Sequence, residues 1–241
     1  IKMIRSNPGR IFYNNLMMNT LLMEKARIHG IKKLISLNTI NSYPEKDTNF
    51  KEEQIWEGLP NKDVFSYGIS KRIMLAQART YKEQYDFDSI NLIVDNTYGP
   101  HDNFDPINSR VIPALIYKFH KAIKNNKNQV EVWGSGRSLR QFLFVGDLVQ
   151  IIYQALIEDL GYNVINVSNG ETVTIRQIVE KISSILDFNG EIIYTTSKPE
   201  GAAVRIMNNS KMKSLLNVDK MHLIHEGLSK TIDWYLTNLD K

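Results

Sequence analysis

Several features that define common protein classes are missing from this sequence. None of its 241 residues is cysteine, which excludes disulfide bridges, thiolate zinc sites and a cysteine nucleophile. No apolar run approaches the roughly 18 residues of a membrane span, and the first residues lack the apolar stretch of a signal peptide. The excess of 30 basic over 26 acidic residues is small and evenly spread. We therefore expect a cytoplasmic protein with no membrane or nucleic-acid partner.

A glycine-rich phosphate loop is also missing from its usual place. Dinucleotide-binding folds begin with a strand, a Gly-rich turn and a helix, and nothing of this kind precedes Ile11. Gly134-Ser-Gly136 follows a predicted strand, but Leu139 occupies the place of the third glycine. Because the chain also starts with Ile1, we expect it to be the later part of a longer protein. The histidines show no ligand-like spacing to carboxylates, so no metal site is expected.

Strand and helix patterns alternate along the chain. Apolar residues at helical spacing predict helices over residues 11–28 and about 66–85. Asp147 is expected to cap a further helix, and Thr174 with Gln177 forms a capping box. Short apolar runs predict strands at 33–37, 89–94, 130–133, 163–167 and 191–194. This alternation predicts an α/β fold with a mainly parallel sheet and helices on its faces.

Tyr67 and Lys71 are the residues with the clearest chemical meaning. They are four residues apart on the second predicted helix, so their side chains lie on one face. A nearby ammonium group favours the phenolate and is expected to lower the pKa of Tyr67 from about 10 towards neutrality. Such a phenol can exchange a proton with a carbonyl or carbinol oxygen. Thr39, at the end of the preceding apolar strand, could donate its hydroxyl to the same oxygen.

Longer motifs accompany these three residues. They follow in chain order: Asn96-Thr-Tyr-Gly-Pro-His-Asp-Asn-Phe104, Val111-Ile-Pro-Ala-Leu115, Val132-Trp-Gly-Ser-Gly136, Arg140-Gln-Phe-Leu143 and Lys198-Pro-Glu-Gly201. With Thr39, Tyr67 and Lys71, they resemble the extended short-chain dehydrogenase/reductase superfamily. Within it, they are similar to the GDP-L-fucose synthase family of GDP-4-keto-6-deoxy-mannose epimerase/reductases. The resemblance runs from about Phe12 to the end of the chain.

The resemblance implies a fold, a cofactor and partners. Residues 1–100, with return elements at about 145–168, would be the remainder of a Rossmann-like doubly wound parallel sheet that binds NADPH. The amino-terminal strands and Gly-rich loop of that sheet would be absent from this chain. Residues 101–144 and 169–241 would form a smaller substrate-binding α/β domain, with a GDP-sugar in the cleft above it. The family usually dimerises through two helices per subunit, so a homodimer is expected.

The resemblance also assigns roles to individual residues. It implies catalytic roles for Thr39, Tyr67 and Lys71, and cofactor contacts for Tyr67, Lys71 and Asn96. The implied substrate-binding residues are an amide, four bases and an indole: Asn96, Arg110, Lys118, Arg140, Arg205 and Trp133. Lys118 stands where the family has arginine, and Arg205 stands where it has lysine. Each exchange keeps the positive charge and alters the hydrogen-bond geometry.

Two positions depart from the family pattern. Asn41 stands where the family has a cysteine, and Arg110 stands where it has a histidine. In the family, that cysteine and histidine move protons at C3 and C5 during epimerisation. An amide has no useful proton to lose and a guanidinium stays charged, so neither acts as an acid or base at neutral pH. We therefore expect an NADPH-dependent 4-keto reductase of a GDP-4-keto-6-deoxy hexose or heptose, with epimerisation left to a separate partner enzyme.

Two alternatives stay open. The chain could be a bifunctional GDP-L-fucose synthase in which other groups replace Asn41 and Arg110 in function. It could also be a non-catalytic member that binds a nucleotide sugar or a protein. The set of Thr39, Tyr67 and Lys71 argues against the second alternative, because a binding module has no use for a tuned phenol.

Overall fold

Parallel strands flanked by helices make up the molecule, which confirms the predicted α/β fold. The computed structural model describes residues 2–46, 48–197, 202–218 and 220–239. The sequence motif Lys198–Gly201 therefore lies outside the described residues.

The helices and strands predicted from the sequence lie close to observed elements, and the structure contains further elements that were not predicted, such as Lys2–Ser6 and Leu139–Phe144. The α-helices are α1 (Lys2–Ser6), α2 (Pro8–Ile28), α3 (Phe65–Tyr85), α4 (Val111–Lys124), α5 (Val145–Ile157), α6 (Ile175–Ile185), α7 (Ser210–Leu215) and α8 (Ile224–Leu239). The strands are β1 (Lys33–Thr39), β2 (Thr48–Phe50), β3 (Asp88–Val94), β4 (Asn96–Tyr98), β5 (Gln129–Trp133), β6 (Leu139–Phe144), β7 (Asn163–Val167), β8 (Thr172–Thr174), β9 (Glu191–Thr195) and β10 (Val204–Met207). Short 3₁₀ turns cover Ile40–Ser42, Glu52–Trp56 and Lys62–Val64.

A three-stranded parallel sheet has the order β1–β3–β7. Its middle strand, β3, is buried from Ser89 onwards. Because successive side chains of a strand point to opposite faces, Leu92 packs in a cluster with α5, whereas Ile93 packs in a cluster with α3. Helices thus cover both faces of this sheet, which is typical of parallel sheets.

A second sheet has the order β2–β10–β6–β4, with β8 antiparallel to β6. The strands β5 and β9 form a separate parallel pair. The largest apolar cluster brings these strands together with α4, α6 and α8, and it includes Phe119, Phe142, Ile178 and Leu228. This cluster is the core of the carboxy-terminal part of the chain.

The two sheets take their strands from overlapping parts of the chain. β2 and β4 lie within residues 1–100 but pair with strands of the second sheet. A single residue, Asp95, separates β3 from β4, so the chain passes directly from one sheet to the other there. In contrast, α5 and β7 pack with β3, as expected for residues 145–168. The division into two domains stays a prediction.

Helix α5 begins at Val145, before the predicted cap. Asp147 therefore lies inside its first turn, where it is buried. It accepts from the backbone N–H of His222 at 2.9 Å and contacts His222 Nδ1 at 2.7 Å. The predicted cap is wrong because this carboxylate serves a tertiary contact that a local pattern cannot reveal. The capping box of Thr174 and Gln177 is confirmed.

Among the residues that the structure describes, no helix is both long and apolar enough to cross a membrane. The same residues contain no group of three or more metal-ligating side chains placed to hold an ion. His222 meets the carboxylate of Asp147, and this contact is a histidine–aspartate hydrogen bond rather than a ligand set.

Candidate active site

Thr39 ends β1 at the carboxyl edge of the first sheet, in register with Val94 of β3. Its backbone is extended, and the chain then enters the 3₁₀ turn Ile40–Ser42. This turn directs the backbone N–H of Asn41 at Thr39 Oγ1, 3.3 Å away. The hydroxyl of Thr39 is therefore held at the edge where ligands bind in open parallel sheets.

Asn38 joins the end of β1 to helix α3. Its buried amide donates from Nδ2 to the backbone oxygen of Lys71 at 2.8 Å. Its Oδ1 accepts from the backbone N–H of Thr39 at 2.8 Å and from Ser42 Oγ at 2.6 Å. One side chain thus fixes the backbone beside two predicted catalytic residues. Asn38 was not predicted as a site residue, since the predicted strand ended at residue 37 and the observed strand includes Asn38.

Helix α3 approaches the turn after Thr39 closely, and Gly68 makes this approach possible. A Cβ atom at Gly68 would lie 2.3 Å from the backbone oxygen of Asn41 and 3.0 Å from Pro60 Cβ. Because Gly68 directly follows Tyr67, this contact sets how near the phenol lies to Thr39. Gly68 was not predicted as a site residue either, although a glycine inside a helical pattern indicates a packing requirement of this kind.

Tyr67 is half-buried, and the hydroxyl of Thr39 lies close enough to act on the pKa of its phenol. Burial raises the pKa of Tyr67 above its ordinary value, whereas the Thr39 hydroxyl and the positive charge of Arg110 act to lower it. The expectation that Lys71 lowers the pKa of Tyr67 towards neutrality is therefore wrong in this structure, because desolvation of the phenol dominates. The phenol is protonated at neutral pH and is able to donate its proton.

Lys71 lies one turn after Tyr67 on α3, as the spacing predicts. Its Nζ donates to the backbone oxygen of Leu37 in β1 at 3.1 Å. Burial lowers the pKa of Lys71. An ammonium group carries three donors, so the contact with Leu37 leaves capacity to bind a ligand.

Arg110 immediately precedes α4 and forms an ion pair with Asp102. Its Nη2 lies 3.4 Å from Asp102 Oδ1; the guanidinium is mostly exposed, whereas the carboxylate is mostly buried. The charge of Arg110 also acts on Tyr67. The structure thus brings Arg110 to the site of Tyr67 and Thr39, where a permanently charged group can bind oxygen atoms but cannot exchange protons.

Asn96 opens β4 next to the carboxyl end of β3, and its side chain is tied to Asp95. Oδ1 of Asp95 accepts from the backbone N–H of Asn96 at 2.7 Å and from its Nδ2 at 3.0 Å. Burial raises the pKa of Asp95 to about 7, while Asn96, Ser168 and the charge of Arg205 oppose the rise. Asp95 was not predicted as a site residue, although a charged residue at the end of a buried strand is a visible signal in the sequence.

Arg205 and Arg140 lie in register on the neighbouring strands β10 and β6. Arg205 Nη2 donates at 2.8 Å to the backbone oxygen of Ile40, the residue after Thr39. Arg140 donates to two backbone oxygens of its surroundings, each at 2.7 Å. Two cations side by side form a positive strip that is suited to a diphosphate.

Lys118 and Trp133 form a further pair on α4 and β5. Lys118 Nζ lies 5.0 Å from the centre of the Trp133 ring and donates to the backbone oxygen of Glu131 at 3.1 Å. Burial lowers the pKa of Lys118. The indole of Trp133 is exposed, so it can stack on a planar ligand. Lys118 and Trp133 thus come from α4 and β5, whereas the groups around Tyr67 come from β1, α3, the β3–β4 junction and β10.

Tyr67, Lys71 and Asn96 lie where the carboxyl ends of β1 and β3 adjoin, which is where dinucleotides bind in such sheets. They offer a phenol, an ammonium group and an amide, and these groups fit the hydroxyls and carboxamide of a nicotinamide riboside. The turn at Gly136 has another task. A Cβ atom there would lie 2.7 Å from the ring of Tyr194, so the glycine makes room for that ring.

Known proteins match this chain along most of its length. The NAD dependent epimerase/dehydratase family model matches residues 4–168. GDP-L-fucose synthase 1 of Arabidopsis thaliana is 36% identical over 239 residues, which cover 96% of this chain and 72% of that protein.

Two solved structures share the fold. A GDP-L-fucose synthetase from Naegleria fowleri bound to NADP superimposes with a TM-score of 0.87 at 27% identity, over 94% of this chain and 70% of that chain. A GDP-mannoheptose C4 reductase from Campylobacter jejuni with NADP bound gives 0.84 at 26% identity, over 96% and 78%. The chain therefore belongs to the NAD dependent epimerase/dehydratase family and, within it, to the GDP-L-fucose synthase-like members of the extended short-chain dehydrogenases/reductases.

Proposed function

We propose that the chain reduces the 4-keto group of a GDP-4-keto-6-deoxy hexose or heptose with NADPH and has no C3/C5 epimerase activity. Its family and its NADP-bound structural relatives make it an NADP-dependent oxidoreductase of nucleotide sugars. The observation that carries the proposal is the placement of the protonated phenol of Tyr67 beside Thr39 at the carboxyl end of β1.

Tyr67 is the proton donor of this reaction. NADPH, when bound, supplies the hydride that C4 of the sugar receives, so negative charge develops on O4. The phenol of Tyr67 donates its proton to O4. Thr39 donates a hydrogen bond to the same oxygen and, through its contact with Tyr67, keeps the phenol directed at it.

Lys71 binds and orients the reactants. Its contact with the backbone oxygen of Leu37 fixes the ammonium group beside the carboxyl end of β1. Its other donors would hold the ribose hydroxyls of the cofactor. Its positive charge also stabilises the phenolate that Tyr67 becomes after proton transfer.

Asn41 and Arg110 occupy the positions whose residues would move protons at C3 and C5, and neither side chain can exchange a proton at neutral pH. Asn41 donates its backbone N–H to Thr39, and its side-chain amide is not an acid or base at neutral pH. Arg110 is charged and paired with Asp102. Arg110 therefore binds sugar oxygens, and a separate enzyme of the same pathway performs any epimerisation.

The remaining basic residues bind the nucleotide part of the substrate. Arg205 and Arg140 bind the diphosphate, since they lie side by side next to the turn that follows Thr39. Lys118 and Trp133 bind the ribose and the base, because the exposed indole offers a flat face and the ammonium group lies over it.

An isotope experiment tests the reductase proposal. The full-length protein is given GDP-4-keto-6-deoxy-mannose and NADPH in D₂O, and the product is identified by NMR. We expect oxidation of NADPH and a product reduced at C4 without deuterium at C3 or C5, because Asn41 and Arg110 cannot remove those protons. A bifunctional GDP-L-fucose synthase, run in parallel, serves as the control that incorporates deuterium.

Two other outcomes decide between the alternatives. Deuterium at C3 and C5 together with NADPH oxidation would support a bifunctional epimerase/reductase and contradict the proposal. Tight binding of GDP-sugar and NADPH without turnover would instead support a non-catalytic member of the family.

We also propose that the chain forms a homodimer through α2 and the adjoining face of α3. Helix α2 buries Met23 and Ala26 against α3. Its other side exposes an apolar stripe: Tyr13, Met17, Met18, Leu21, Leu22 and Ile28. Exposed apolar side chains one turn apart form a continuous patch, and such patches are typical of protein interfaces.

Substitutions that place negative charge on this apolar stripe are expected to separate the subunits. The double variant Met18→Glu/Leu21→Glu should be monomeric by light scattering after size-exclusion chromatography, because a carboxylate is not tolerated in an apolar interface. Leu59→Glu is the matched control, since Leu59 is 67% exposed and lies in a loop outside α2. A wild-type protein that is monomeric at micromolar concentration would contradict the proposed dimer.

A further inference from the structure

The buried carboxyl group of Asp95 takes no part in the chemistry described above. Asp95 is 4% exposed and lies between β3 and β4. Its backbone N–H donates to the oxygen of Val167 in β7 at 3.1 Å. Its Oδ1 accepts two hydrogen bonds from Asn96, whereas its buried Oδ2 has no hydrogen-bond partner among the described residues.

This half-satisfied carboxyl group weakens the fold when it is ionised. Burial raises the pKa of Asp95 to about 7, from an ordinary aspartate value of about 4. The folded protein therefore holds this proton more tightly than the unfolded chain. The free energy of unfolding falls as the pH rises from about 4 to about 7 and stays lower above that range. A buried group that lowers stability at working pH is a candidate for a functional role.

Asp95 decides which way the amide of Asn96 points. A carboxylate oxygen only accepts hydrogen bonds, and so does the backbone oxygen of Gln141. Both acceptors face Nδ2 of Asn96, at 3.0 Å and 3.4 Å. The amide oxygen of Asn96 consequently points away from both and is left to accept a hydrogen bond from another group.

The same carboxyl group acts on Arg205, which comes from β10. The charge of Arg205 lowers the pKa of Asp95, so the ionised carboxylate attracts the guanidinium in return. Arg205 also donates to the backbone oxygen of Ile40 at 2.8 Å. The other groups that face the carboxyl, Asn96 and Ser168, are uncharged. Asp95 is thus an anionic group that accepts from Asn96 and attracts Arg205, and both of these residues are proposed for the substrate site.

We propose that ionised Asp95 is a positioning residue of the substrate site: it turns the Asn96 amide oxygen towards the ligand and restrains the guanidinium of Arg205 beside the turn after Thr39. The identity of that ligand, a GDP-sugar, rests on the proposed function. Asp95 touches neither substrate nor reacting atoms and acts through Asn96 and Arg205. The attraction of Arg205 therefore requires a charge that the fold itself disfavours, whereas Oδ1 of Asp95 accepts from Asn96 in either protonation state.

Asp95→Asn removes the charge while keeping the size of the side chain. The KM for GDP-4-keto-6-deoxy-mannose is expected to rise about tenfold, with kcat changing less than about threefold. The wild-type kcat/KM should increase through about pH 7, and this inflection should be absent from the variant. The Tm of the variant at about pH 8.5 should be higher by about 5 °C, because the disfavoured charge is gone. A merely structural aspartate would give a lower Tm and an unchanged pH profile.

Asp88→Asn is the matched control, because Asp88 lies at the opposite end of β3 and pairs with Lys82 at 2.8 Å. It should keep the wild-type KM and pH profile. An unchanged KM in Asp95→Asn, or a lower Tm above neutral pH, would overturn the proposal. If Asp95→Asn fails to fold, Asp95→Ser is measured instead, and failure of both overturns the proposal, since loss of the charge must stabilise the fold.

A binding measurement separates this proposal from the proposed function. Calorimetry with GDP alone should give a Kd about tenfold higher in Asp95→Asn than in the wild type, because Arg205 is less restrained in the variant. If the wild type does not turn over the GDP-sugar, the proposed reductase function fails, whereas the GDP affinities and the Tm values still decide the role of Asp95. Equal GDP affinities would overturn that role.

Discussion

Replacing Tyr67 by phenylalanine is expected to lower kcat by about 10³-fold and to leave KM nearly unchanged. Phenylalanine keeps the ring and removes only the hydroxyl that donates a proton to O4. Thr39 stays in place, because the backbone N–H of Asn41 still binds its Oγ1. The decrease of NADPH absorbance with saturating GDP-4-keto-6-deoxy-mannose measures the effect.

The matched control for this variant is Tyr85→Phe. Tyr85 is the last residue of the same helix, and its ring is 44% exposed. This variant should keep the wild-type kcat, since it loses a phenol far along α3 from the site. Wild-type turnover in Tyr67→Phe would show that another group donates the proton and would contradict the proposed mechanism.

The raised pKa of Tyr67 suits an acid rather than a base. A phenol with a pKa above its ordinary value is protonated throughout the neutral range, which is the form that reduction consumes. The pKa of Lys71 shifts in the opposite direction, because burial lowers it. In the proposed reduction the pair therefore needs no phenolate before the reaction, and the role proposed for Lys71 is to stabilise the phenolate that forms afterwards.

Replacing Gly68 by alanine is expected to lower the Tm by about 5 °C and kcat by about tenfold or more. The new Cβ would lie 2.3 Å from the backbone oxygen of Asn41, so α3 must move away from the turn after Thr39. This movement carries Tyr67 away from Thr39, and an error of about 1 Å at a reacting group is costly. Thermal melting and steady-state rates measure the two effects.

Gly9→Ala is the control for the backbone effect of the substitution. Gly9 also lies in a helix, near the start of α2, and a Cβ there would meet nothing within 4 Å. Alanine is the better helix former by about 1 kcal/mol or less, so this variant should not lower the Tm. A Gly68→Ala protein as stable and active as the wild type would contradict the close approach of α3 to the turn.

Local patterns predicted those parts of the fold that local physics determines. The apolar runs of β1 and β3 and the periodicity of α2 and α3 led to nearly correct bounds, because each element must bury one face or stripe. The capping box of Thr174 and Gln177 was recognisable for the same reason, since both of its hydrogen bonds are made within one helical turn.

Predictions that depended on distant residues were less successful. Asp147 looks like a helix cap, yet it binds His222 from the far end of the chain. The short strands β2 and β4 lie among the residues of the first sheet but pair with β10 and β6 of the second. Strand pairing depends on which backbone edges meet in three dimensions, and spacing along the chain does not encode this.

The candidate site divides in the same way. The sequence by itself determined the family, the helical spacing of Tyr67 and Lys71, and the presence at position 110 of a group that cannot exchange protons. Only the tertiary structure decided the protonation state of Tyr67, the need for glycine at position 68 and the burial of Asp95. The physical reason is that residue type and spacing are local, whereas desolvation, steric contact and charge interaction depend on atoms that folding brings together from β1, α3, β4 and β10.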